Sequence, residues 1–381
     1  MDFEWSDEDV AFRRELRQFL LETLPADWEE ISKGGPGSDA QAAFSRGFCG
    51  KMAERGWLTQ HWPVEYGGRA ASPWRHAVVG EEMWMCGEPR GAQYMNVNWV
   101  GPTLMMYGTD EQKAYHLPRI SRGDVLWCQG FSEPEAGSDL AALRTLALRD
   151  GDDYVVNGSK IWTSYVDNAE FCFLVVRTDP ESKRNRGISV LLCPIDLPGI
   201  EVREIPAVVG DKYFHEVFFS QVRVPVSARL GPEHEGWAVV TYALACERVG
   251  SARYARAALT LDALAGEARR RGLLADAVLQ EKLASARTAV EAARVLTYRV
   301  IDLRAKGSPP TADTNMARVA GTWAEGAVSE LALEIYGGDG LEYGNFGESY
   351  YRMAMTAGVA VGTTEVNLNL VASRVLGLPR E

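Results

Sequence analysis

The hydrophobic periodicity of the sequence changes twice along the chain, and this change constrains the fold more than any other feature. Between Asp7 and Leu24 apolar residues recur at the spacing of an amphipathic helix, and the same spacing returns at 41–55 and 72–85. After Gly123 the pattern turns to short runs of β-branched and aromatic residues, which are typical of strands. From Gly236 onward it is helical again. The sequence therefore predicts a helical segment, a β segment and a second helical segment.

These changes divide the chain into three predicted domains and give an α+β fold class. The predictions are an N-terminal helical domain at 1–124, a middle β-barrel-like domain at 125–235 and a C-terminal four-helix bundle at 236–381. The bundle helices are predicted at 237–270, 277–305, 314–336 and 363–376. Within the β domain, Asn157-Gly158 predicts a hairpin turn, because a type I′ turn requires positive φ at both central residues.

Charge and composition argue against several functional classes. The formal net charge is -12, whereas a protein that binds nucleic acid needs concentrated Lys and Arg to contact phosphates. No apolar run approaches the roughly 20 residues of a membrane-spanning helix, and Asp2 and Glu4 stand where a signal peptide carries basic residues. We therefore expect an acidic cytoplasmic protein that binds no nucleic acid and does not insert into a membrane.

The cysteines and histidines give no sign of a metal site or a disulfide framework. The six cysteines form no C-x-x-C pair, and the five histidines form neither an i, i+4 pair nor an H-E-x-x-H motif. We therefore expect no bound metal, and we interpret the cysteines as buried thiols.

One segment, Trp127–Asp139, is unusually dense in residues that bind ligands through the backbone or a hydroxyl group. It contains two glycines, a proline and two serines. Such a loop presents N–H and O–H donors at short intervals, which suits an aromatic heterocycle or a phosphate. A capped turn before a helix uses the same residue types. Residue types alone leave both interpretations open.

The order of these residues resembles the flavin-binding signature of the acyl-CoA dehydrogenase family. The string Ser-Glu-Pro-Glu-Ala-Gly-Ser-Asp at 132–139 is followed by Lys-Ile-Trp-Thr-Ser at 160–164. Further matches follow the family's order at 101–104, 108–113, 218–225 and 376–380. The resemblance covers essentially the whole chain. It implies the three-domain fold, an FAD cofactor and dehydrogenation of acyl-CoA thioesters to trans-2-enoyl thioesters.

The resemblance also assigns residues to the ligands. It implies that Gln129, Phe131 and Ser132 line the pyrimidine edge of the flavin. Trp162 would pack against the isoalloxazine face and Ser164 would offer its hydroxyl to N5, although a tryptophan here also suits a strand core. The further FAD contacts that it implies are Gly137, Ser138, Gly338, Thr363 and Glu365. The substrate contacts that it implies are Ser138, Arg248 and Gly362.

A glycine-rich stretch at 338–344 resembles a dinucleotide-binding fingerprint, but its context is wrong. The spacing differs, and the stretch follows the helical segment 328–336 where a Rossmann fingerprint follows a strand. A nicotinamide-dependent dehydrogenase is therefore the weakest alternative function. In the family that the chain resembles, this Gly-Gly element approaches the adenosine end of FAD.

The catalytic base departs from the commonest family pattern. Many members place a Glu immediately before a Gly-Thr pair near the C-terminus, where this chain has Val361. A second position known in the family lies on the first bundle helix, where this chain has Glu247. On a continuous helix Glu247 would share a largely apolar face with Val240, Ala243, Leu244, Gly250, Ser251 and Tyr254. The resemblance thus implies Glu247 as the base and the Val361 amide as a donor to the thioester oxygen. The alternative is a buried Glu247 that pairs with a neighbouring arginine.

Two further departures concern the FAD diphosphate. The family's Arg-x-x-Phe-Gly element is replaced at 269–274 by Arg-Arg-Arg-Gly-Leu-Leu, and Glu334 replaces a family Gln. A carboxylate repels a diphosphate, which favours pairing with a different subunit. The resemblance implies an electron-transfer flavoprotein as electron acceptor and a homo- or hetero-oligomer, a dimer of dimers with acyl-CoA dehydrogenase-like subunits. The alternatives are a half-site subunit that completes a partner's flavin site and an oxidase that uses oxygen.

Overall fold

The computed structural model describes residues 5–33, 35, 37–210, 212–248, 252–308 and 311–379. The chain forms two compact units. The first contains residues 1–33, 71–88 and 248–381, and the second contains residues 34–70 and 89–247. Neither unit is one continuous segment, and the predicted domain boundaries stay a prediction.

The elements confirm the predicted order of helical, β and helical segments. The helices are α1 (Asp7–Thr23), α2 (Trp28–Lys33), α3 (Asp39–Glu54), α4 (Pro73–Met85), α5 (Gln93–Met95), α6 (Gly101–Tyr107), α7 (Asp110–Ser121), α8 (Gly236–Glu247), α9 (Arg253–Arg270), α10 (Ala277–Ala305), α11 (Asp313–Tyr336), α12 (Phe346–Met355) and α13 (Thr364–Arg374). The strands are β1 (Trp127–Gly130), β2 (Leu146–Asp150), β3 (Asp153–Thr163), β4 (Phe171–Arg177), β5 (Ile188–Pro194), β6 (Ile200–Ile205), β7 (Phe214–Pro225) and β8 (Arg229–Leu230). No described helix has both the length and the apolar character that crossing a bilayer requires.

In the first unit, buried carboxylates connect the helices. Glu81 of α4 accepts hydrogen bonds from the Tyr254 hydroxyl of α9 at 2.8 Å and from the Tyr298 hydroxyl of α10 at 2.6 Å. Its other oxygen accepts from Arg13 of α1 at 2.6 Å. A buried carboxylate is stable only when such donors replace its water shell. Glu81 therefore fixes three helices around one point.

Glu325 of α11 makes a second connection in this unit. Its side chain is fully buried and lies 2.5 Å from Arg256 and 3.3 Å from Arg253, both on α9. Burial alone would raise the pKa of this carboxyl, but the two guanidinium groups outweigh that effect and the pKa lies below its ordinary value of 4.5. Glu325 therefore stabilises the folded chain as a carboxylate.

Replacing Glu325 with Gln is expected to lower the free energy of unfolding by about 3–5 kcal/mol at pH 7, the usual cost of breaking a buried pair. Because the pKa of Glu325 is lower in the folded chain than in the unfolded chain, its carboxylate adds to the free energy of unfolding. This contribution is complete above about pH 4.5 and is lost as the pH falls through the folded-state pKa. The difference from wild type should therefore shrink at pH 3.5. Urea unfolding at both pH values measures it, with the exposed Glu330→Gln change on the same helix as control. An equal difference at both pH values would contradict the ion pair.

The second unit is built on one sheet with helices packed against it. The strand order is β6-β7-β3-β2-β4-β5-β8, and β1 pairs in parallel with β4. Along β4, Phe173 belongs to the core that includes Trp99 and Val239, whereas the adjacent Leu174 belongs to a core on the other face. A strand buried on both faces reads as a continuous apolar run, as this one does. Helix α8 lies on the first of these faces through Val239 and Ala243.

The predicted hairpin at Asn157-Gly158 is wrong. β3 runs through both residues, and the register against β7 shifts between Val156 and Gly158. Gly158 has φ +147°, and a Cβ there would lie 2.6 Å from the Thr145 hydroxyl. The Asn-Gly pair thus serves a β-bulge and a close contact, which need the same backbone freedom as a turn. The β2–β3 turn lies instead at Gly151, which has φ +63°.

The bundle also differs in detail from its prediction. The segment 237–270 forms two helices, because α8 ends at Glu247 and α9 begins at Arg253. Glu247 is therefore the last residue of its helix, and the prediction of one continuous helix from Glu247 to Tyr254 is wrong. Gly250 and Ser251 lie outside the described residues. Helix α12 was not predicted.

Candidate functional site

The structure brings the two predicted flavin-edge segments of the second unit together. Gln129 lies half-buried on β1, and the chain then turns away from the sheet at Phe131. The Ile161 amide of β3 donates to the carbonyl of Ser132 at 2.9 Å. The buried Phe131 ring lies 6.2 Å from Trp99 and 5.8 Å from Phe173, between ring centroids. The loop after β1 is thereby fixed beside the end of β3.

A tight turn gives this loop its shape. Glu133 and Ala136 exchange two backbone hydrogen bonds, at 3.1 and 3.0 Å, around Pro134. Gly137 and Ser138 follow the turn and are exposed. A Cβ on Gly137 would meet nothing within 4 Å, so the space beside it is open. This open, donor-bearing loop fits the edge of a flat heterocycle.

Trp162 supplies a flat aromatic surface next to that loop. It has φ +60° at an irregularity of β3, and 54% of the residue is exposed although its strand is mostly buried. Its ring meets Phe214 edge-on at 5.8 Å. An exposed indole held in an unusual backbone conformation indicates a ligand surface rather than core packing. Ser164 follows, half-buried.

Two buried cations that the sequence analysis missed hold this region. Lys160 forms an ion pair with Glu133 at 2.7 Å, and Arg177 donates to the carbonyls of Leu143 at 3.1 Å and Ala141 at 2.9 Å. The sequence signal that could have identified Lys160 is its position in the alternating pattern of β3, on the side that is buried. A lysine is rarely buried unless it is paired.

Glu247 closes α8 and is half-buried, and Arg248 follows it in the first unit. Arg248 lines a small cleft. The other lining residues are Arg253, Tyr254, Thr297, Ala317, Arg318 and Gly321. Three guanidinium groups belong to this lining, and Arg253 among them pairs with Glu325.

The loop that carries Val361 is fixed by polar side chains of the first unit. Arg318 donates to the carbonyls of Ala357 and Ala360, the latter at 2.9 Å. Asn367 donates to the carbonyl of Gly362 at 2.8 Å and accepts from Asn315 at 2.7 Å. These contacts explain how the loop keeps a strained backbone.

That strain lies at Val361 itself, which has φ +62°. The left-handed region is unfavourable for a β-branched residue, and such strain is often stored at functional sites. Gly362 continues in the same region with φ +82°. The structure thus gives the backbone, rather than the side chain, of position 361 an unusual geometry.

Thr363 is the N-cap residue of α13, and Glu365 lies in the first turn of this helix. The Thr363 hydroxyl caps the helix by accepting from the Val366 amide at 3.3 Å. The backbone amide of Glu365 and the Thr363 hydroxyl lower the pKa of the exposed Glu365 carboxyl. Both side chains are therefore at least partly engaged with their own helix start.

Gly338 lies in a short turn after α11, where a Cβ would meet nothing within 4 Å. The cations beside this turn are already paired. Lys282 contacts both oxygens of Glu334 at 2.8 Å, and Arg271 contacts Asp339 at 2.8 Å. The turn is open to a ligand, but its local charge is neutralised by the chain's own carboxylates.

The described residues contain no cluster of metal-ligating side chains. The predicted site residues instead fall into two groups. Those from Gln129 to Ser164 and Glu247 belong to the second unit, and those from Arg248 to Glu365 belong to the first.

Three family models match consecutive parts of the chain. They are described as the acyl-CoA dehydrogenase N-terminal domain at 6–124, middle domain at 128–222 and C-terminal domain at 234–376. All three occur in the order of the chain and cover most of it.

Individual relatives agree with these matches. Acyl-CoA dehydrogenase IpdE1 from Mycolicibacterium smegmatis is 36% identical, covering 98% of this chain and 99% of its own. Acyl-CoA dehydrogenase FadE26 from Mycobacterium tuberculosis is 34% identical, covering 100% of this chain and 99% of its own. Among solved structures, the Tcur3481-Tcur3483 steroid ACAD has a TM-score of 0.91 and 33% identity, with full coverage of both chains. The ChsE4-ChsE5 complex from Mycobacterium tuberculosis has a TM-score of 0.89 and 34% identity, also with full coverage.

Proposed function

Because the chain belongs to the acyl-CoA dehydrogenase family, we propose that it converts an acyl-CoA thioester to the trans-2-enoyl-CoA and passes the electrons to an electron-transfer flavoprotein. Family membership makes the protein an FAD-dependent oxidoreductase of acyl-CoA thioesters. FAD, when bound, accepts the hydride that leaves the β carbon. The chain itself must hold the ring, orient the thioester and remove the α proton.

Glu247 is the proposed base for the α proton. It is the only charged residue of the apolar helix α8, whereas position 361, the commonest place of the base in the family, is a valine. The side chain of Glu247 is half-buried at the end of that helix. The placement of this single carboxyl at the end of α8 is the observation that carries the proposal.

Val361 is proposed to act through its backbone amide. Removing the α proton builds negative charge on the thioester oxygen, and a donor fixed before the reaction stabilises that charge. The positive φ of Val361 and the contacts of Arg318 and Asn367 support a fixed amide direction. Ser138, Arg248 and Gly362 are proposed as further substrate contacts. The proposed FAD contacts are Gln129, Phe131, Ser132, Gly137, Ser138, Trp162, Ser164, Gly338, Thr363 and Glu365.

Replacing Val361 with Ala is expected to change kcat/KM by less than about threefold, because the backbone amide remains. A threefold change corresponds to about 0.6 kcal/mol in the activation free energy. Asn367→Ala is the matched comparison, because it removes two hydrogen bonds to the carbonyls of Gly362 and Thr363. It should lower kcat/KM more than Val361→Ala does. Steady-state kinetics measure both. A loss above tenfold in Val361→Ala would mean that the side chain itself acts.

We propose a bulky or branched acyl group as substrate, including a steroid-derived one. This proposal is supported by the similarity of the chain, over its full length, to the Tcur3481-Tcur3483 protein, which is named as a steroid ACAD. Family members that place the base on this helix tend to accept such groups. This assignment is more specific than family membership alone requires.

The test is anaerobic titration of the FAD-loaded protein with straight, branched and steroid-derived acyl-CoA thioesters. Loss of the visible flavin absorption with a bulky thioester, followed by its return on adding oxidised electron-transfer flavoprotein, supports the proposal. Return with oxygen alone at turnover rate would indicate an oxidase. If no thioester bleaches fully loaded protein, the dehydrogenase assignment is wrong.

We further propose that the chain works in a complex with a different acyl-CoA dehydrogenase-like subunit. The pairs Lys282–Glu334 and Arg271–Asp339 leave little uncompensated positive charge beside the Gly338 turn. Large apolar side chains next to it are exposed, with Leu341 and Tyr343 each 80% accessible. Exposed apolar groups of this size are typical of surfaces that another protein covers. The ChsE4-ChsE5 complex, named as a complex of two proteins, is a precedent.

A further inference from the structure

The ion pair between Lys160 and Glu133 is buried in the second unit, next to the proposed flavin edge. The Lys160 side chain is completely buried, and its Nζ lies 2.7 Å from Oε1 of Glu133. Nζ also donates to the carbonyl of Phe131 at 3.0 Å. The backbone amides of Arg144 and Thr145 also donate to the carboxylate of Glu133, at 2.6 Å and 2.9 Å. Each charge in this cluster therefore has a partner of opposite charge.

Glu133 remains ionised in this position. Burial alone raises the pKa of its carboxyl, but the Lys160 ammonium and the hydrogen-bond donors outweigh burial, and the pKa is lowered. Separating the two side chains would leave each of them as an unpaired buried charge, which is costly. The pair therefore holds the two side chains in one fixed arrangement.

The pair joins the two segments that the proposed function assigns to the flavin. Lys160 lies on β3 two residues before Trp162, and Phe131 and Glu133 lie on either side of Ser132. The backbone bond from Ile161 to Ser132 makes a third connection beside the two made by Lys160. A shift of the Ser132 loop relative to Trp162 would have to break all three.

The contact with Phe131 has an electronic consequence as well. The carbonyl of Phe131 and the amide N–H of Ser132 belong to one peptide unit. When an ammonium donates to that carbonyl, the peptide is polarised and its N–H becomes a stronger donor. A stronger donor at the flavin edge favours the reduced ring, which carries more electron density there.

We propose that the Lys160–Glu133 ion pair positions the Phe131–Ser132 peptide against the end of β3 and strengthens the Ser132 amide as a hydrogen-bond donor to the flavin. This inference rests on the proposed FAD site. Lys160 and Glu133 are positioning residues, which act through Ser132 and Trp162. They make the loop a prepared site rather than one that orders only when FAD arrives.

The principal test is the double variant Lys160→Met, Glu133→Gln, which removes both charges and leaves no buried carboxylate alone. FAD affinity of the protein in complex with its partner subunit, measured by quenching of flavin fluorescence, should fall at least tenfold. Reduced FAD should lose a further tenfold relative to oxidised FAD, which is a midpoint potential lower by about 30 mV for two electrons. Arg223→Gln is the control, because it removes an exposed ion pair with Asp150 on the same sheet and should change neither quantity.

Hydrogen exchange of the protein without FAD separates this inference from the proposed function. In the double variant, amides at 131–138 and 161–164 should exchange faster while the rest of the sheet is unchanged. If the double variant does not fold, Lys160→Gln, Glu133→Gln carries the same expectations for affinity and exchange, because it also removes both charges and keeps a polar group at both positions. Unchanged affinity, potential and exchange would overturn the inference. A wild-type protein that binds no FAD even in complex with its partner subunit would refute the proposed site, whereas the exchange result would still decide the positioning role.

Discussion

Replacing Glu247 with Gln is expected to lower the rate of acyl-CoA dehydrogenation by at least about 100-fold, the usual size of a general-base contribution. Gln has nearly the same shape and cannot take up the α proton. The flavin spectrum and the FAD content should match those of wild type, because the proposed FAD contacts do not include this side chain. Single-turnover bleaching of the flavin under anaerobic conditions measures the chemical step directly.

Glu235→Gln provides the matched control for this change. Glu235 is exposed and immediately precedes α8, so the same chemical change is made at the opposite end of the same helix. It should retain wild-type turnover. The loss of a general base should leave about a hundredth of the activity or less. If Glu247→Gln retains more than about a tenth, the assignment is refuted. Loss of FAD in that variant would assign Glu247 a role in the cofactor site instead.

Expressed alone, the chain is expected to bind much less than one FAD per chain, or to lose FAD on dilution. Co-expression with the homologous subunit of its natural complex should restore stable binding. The reason is the paired charge beside the Gly338 turn, together with the missing Phe-Gly element after Arg271. Absorbance gives the flavin content, and native mass spectrometry gives the assembly.

A charge change tests the cause of that expectation. Glu334→Gln releases Lys282 from its carboxylate partner and should raise the FAD content of the chain expressed alone. Glu330→Gln lies one turn earlier on the same helix, is exposed, and should leave the FAD content unchanged. One FAD per chain in a stable wild-type homotetramer would contradict the hetero-oligomer, and it would also mean that Glu334 does not weaken FAD binding.

The sequence predicted the fold through patterns that depend only on neighbouring residues. Helical spacing placed α1, α3 and α4 within two residues of their bounds, and runs of β-branched and aromatic residues located β3 to β7 but not β1, β2 or β8. The loop at 132–139 and the Trp-Thr-Ser string at 162–164 could also be identified, because their order is distinctive. These features are local, so the chain contains them before any tertiary contact forms.

Predictions failed where one local pattern serves two structures. Asn157-Gly158 has the backbone freedom of a turn, and only the pairing of β3 with β7 makes it a bulge. The apolar spacing through 237–270 suggested one helix, whereas the structure has α8 and α9. α8 packs on the sheet through Val239, a contact that helical periodicity does not contain.

By itself the sequence determined the order of the segments, the family signature and the absence of a glutamate at position 361. Only the tertiary structure decided that Lys160 pairs with Glu133, that Arg318 and Asn367 hold the strained Val361 loop, and that Lys282 neutralises Glu334. Lys160 and Glu133 are 27 positions apart in the chain, and Lys282 and Glu334 are 52 apart. Arg318 lies 42 positions from its partner Ala360, and Asn367 lies 5 from its partner Gly362. Propensity and spacing act over a few residues, whereas the free energy of a buried charge depends on which distant groups replace its water shell.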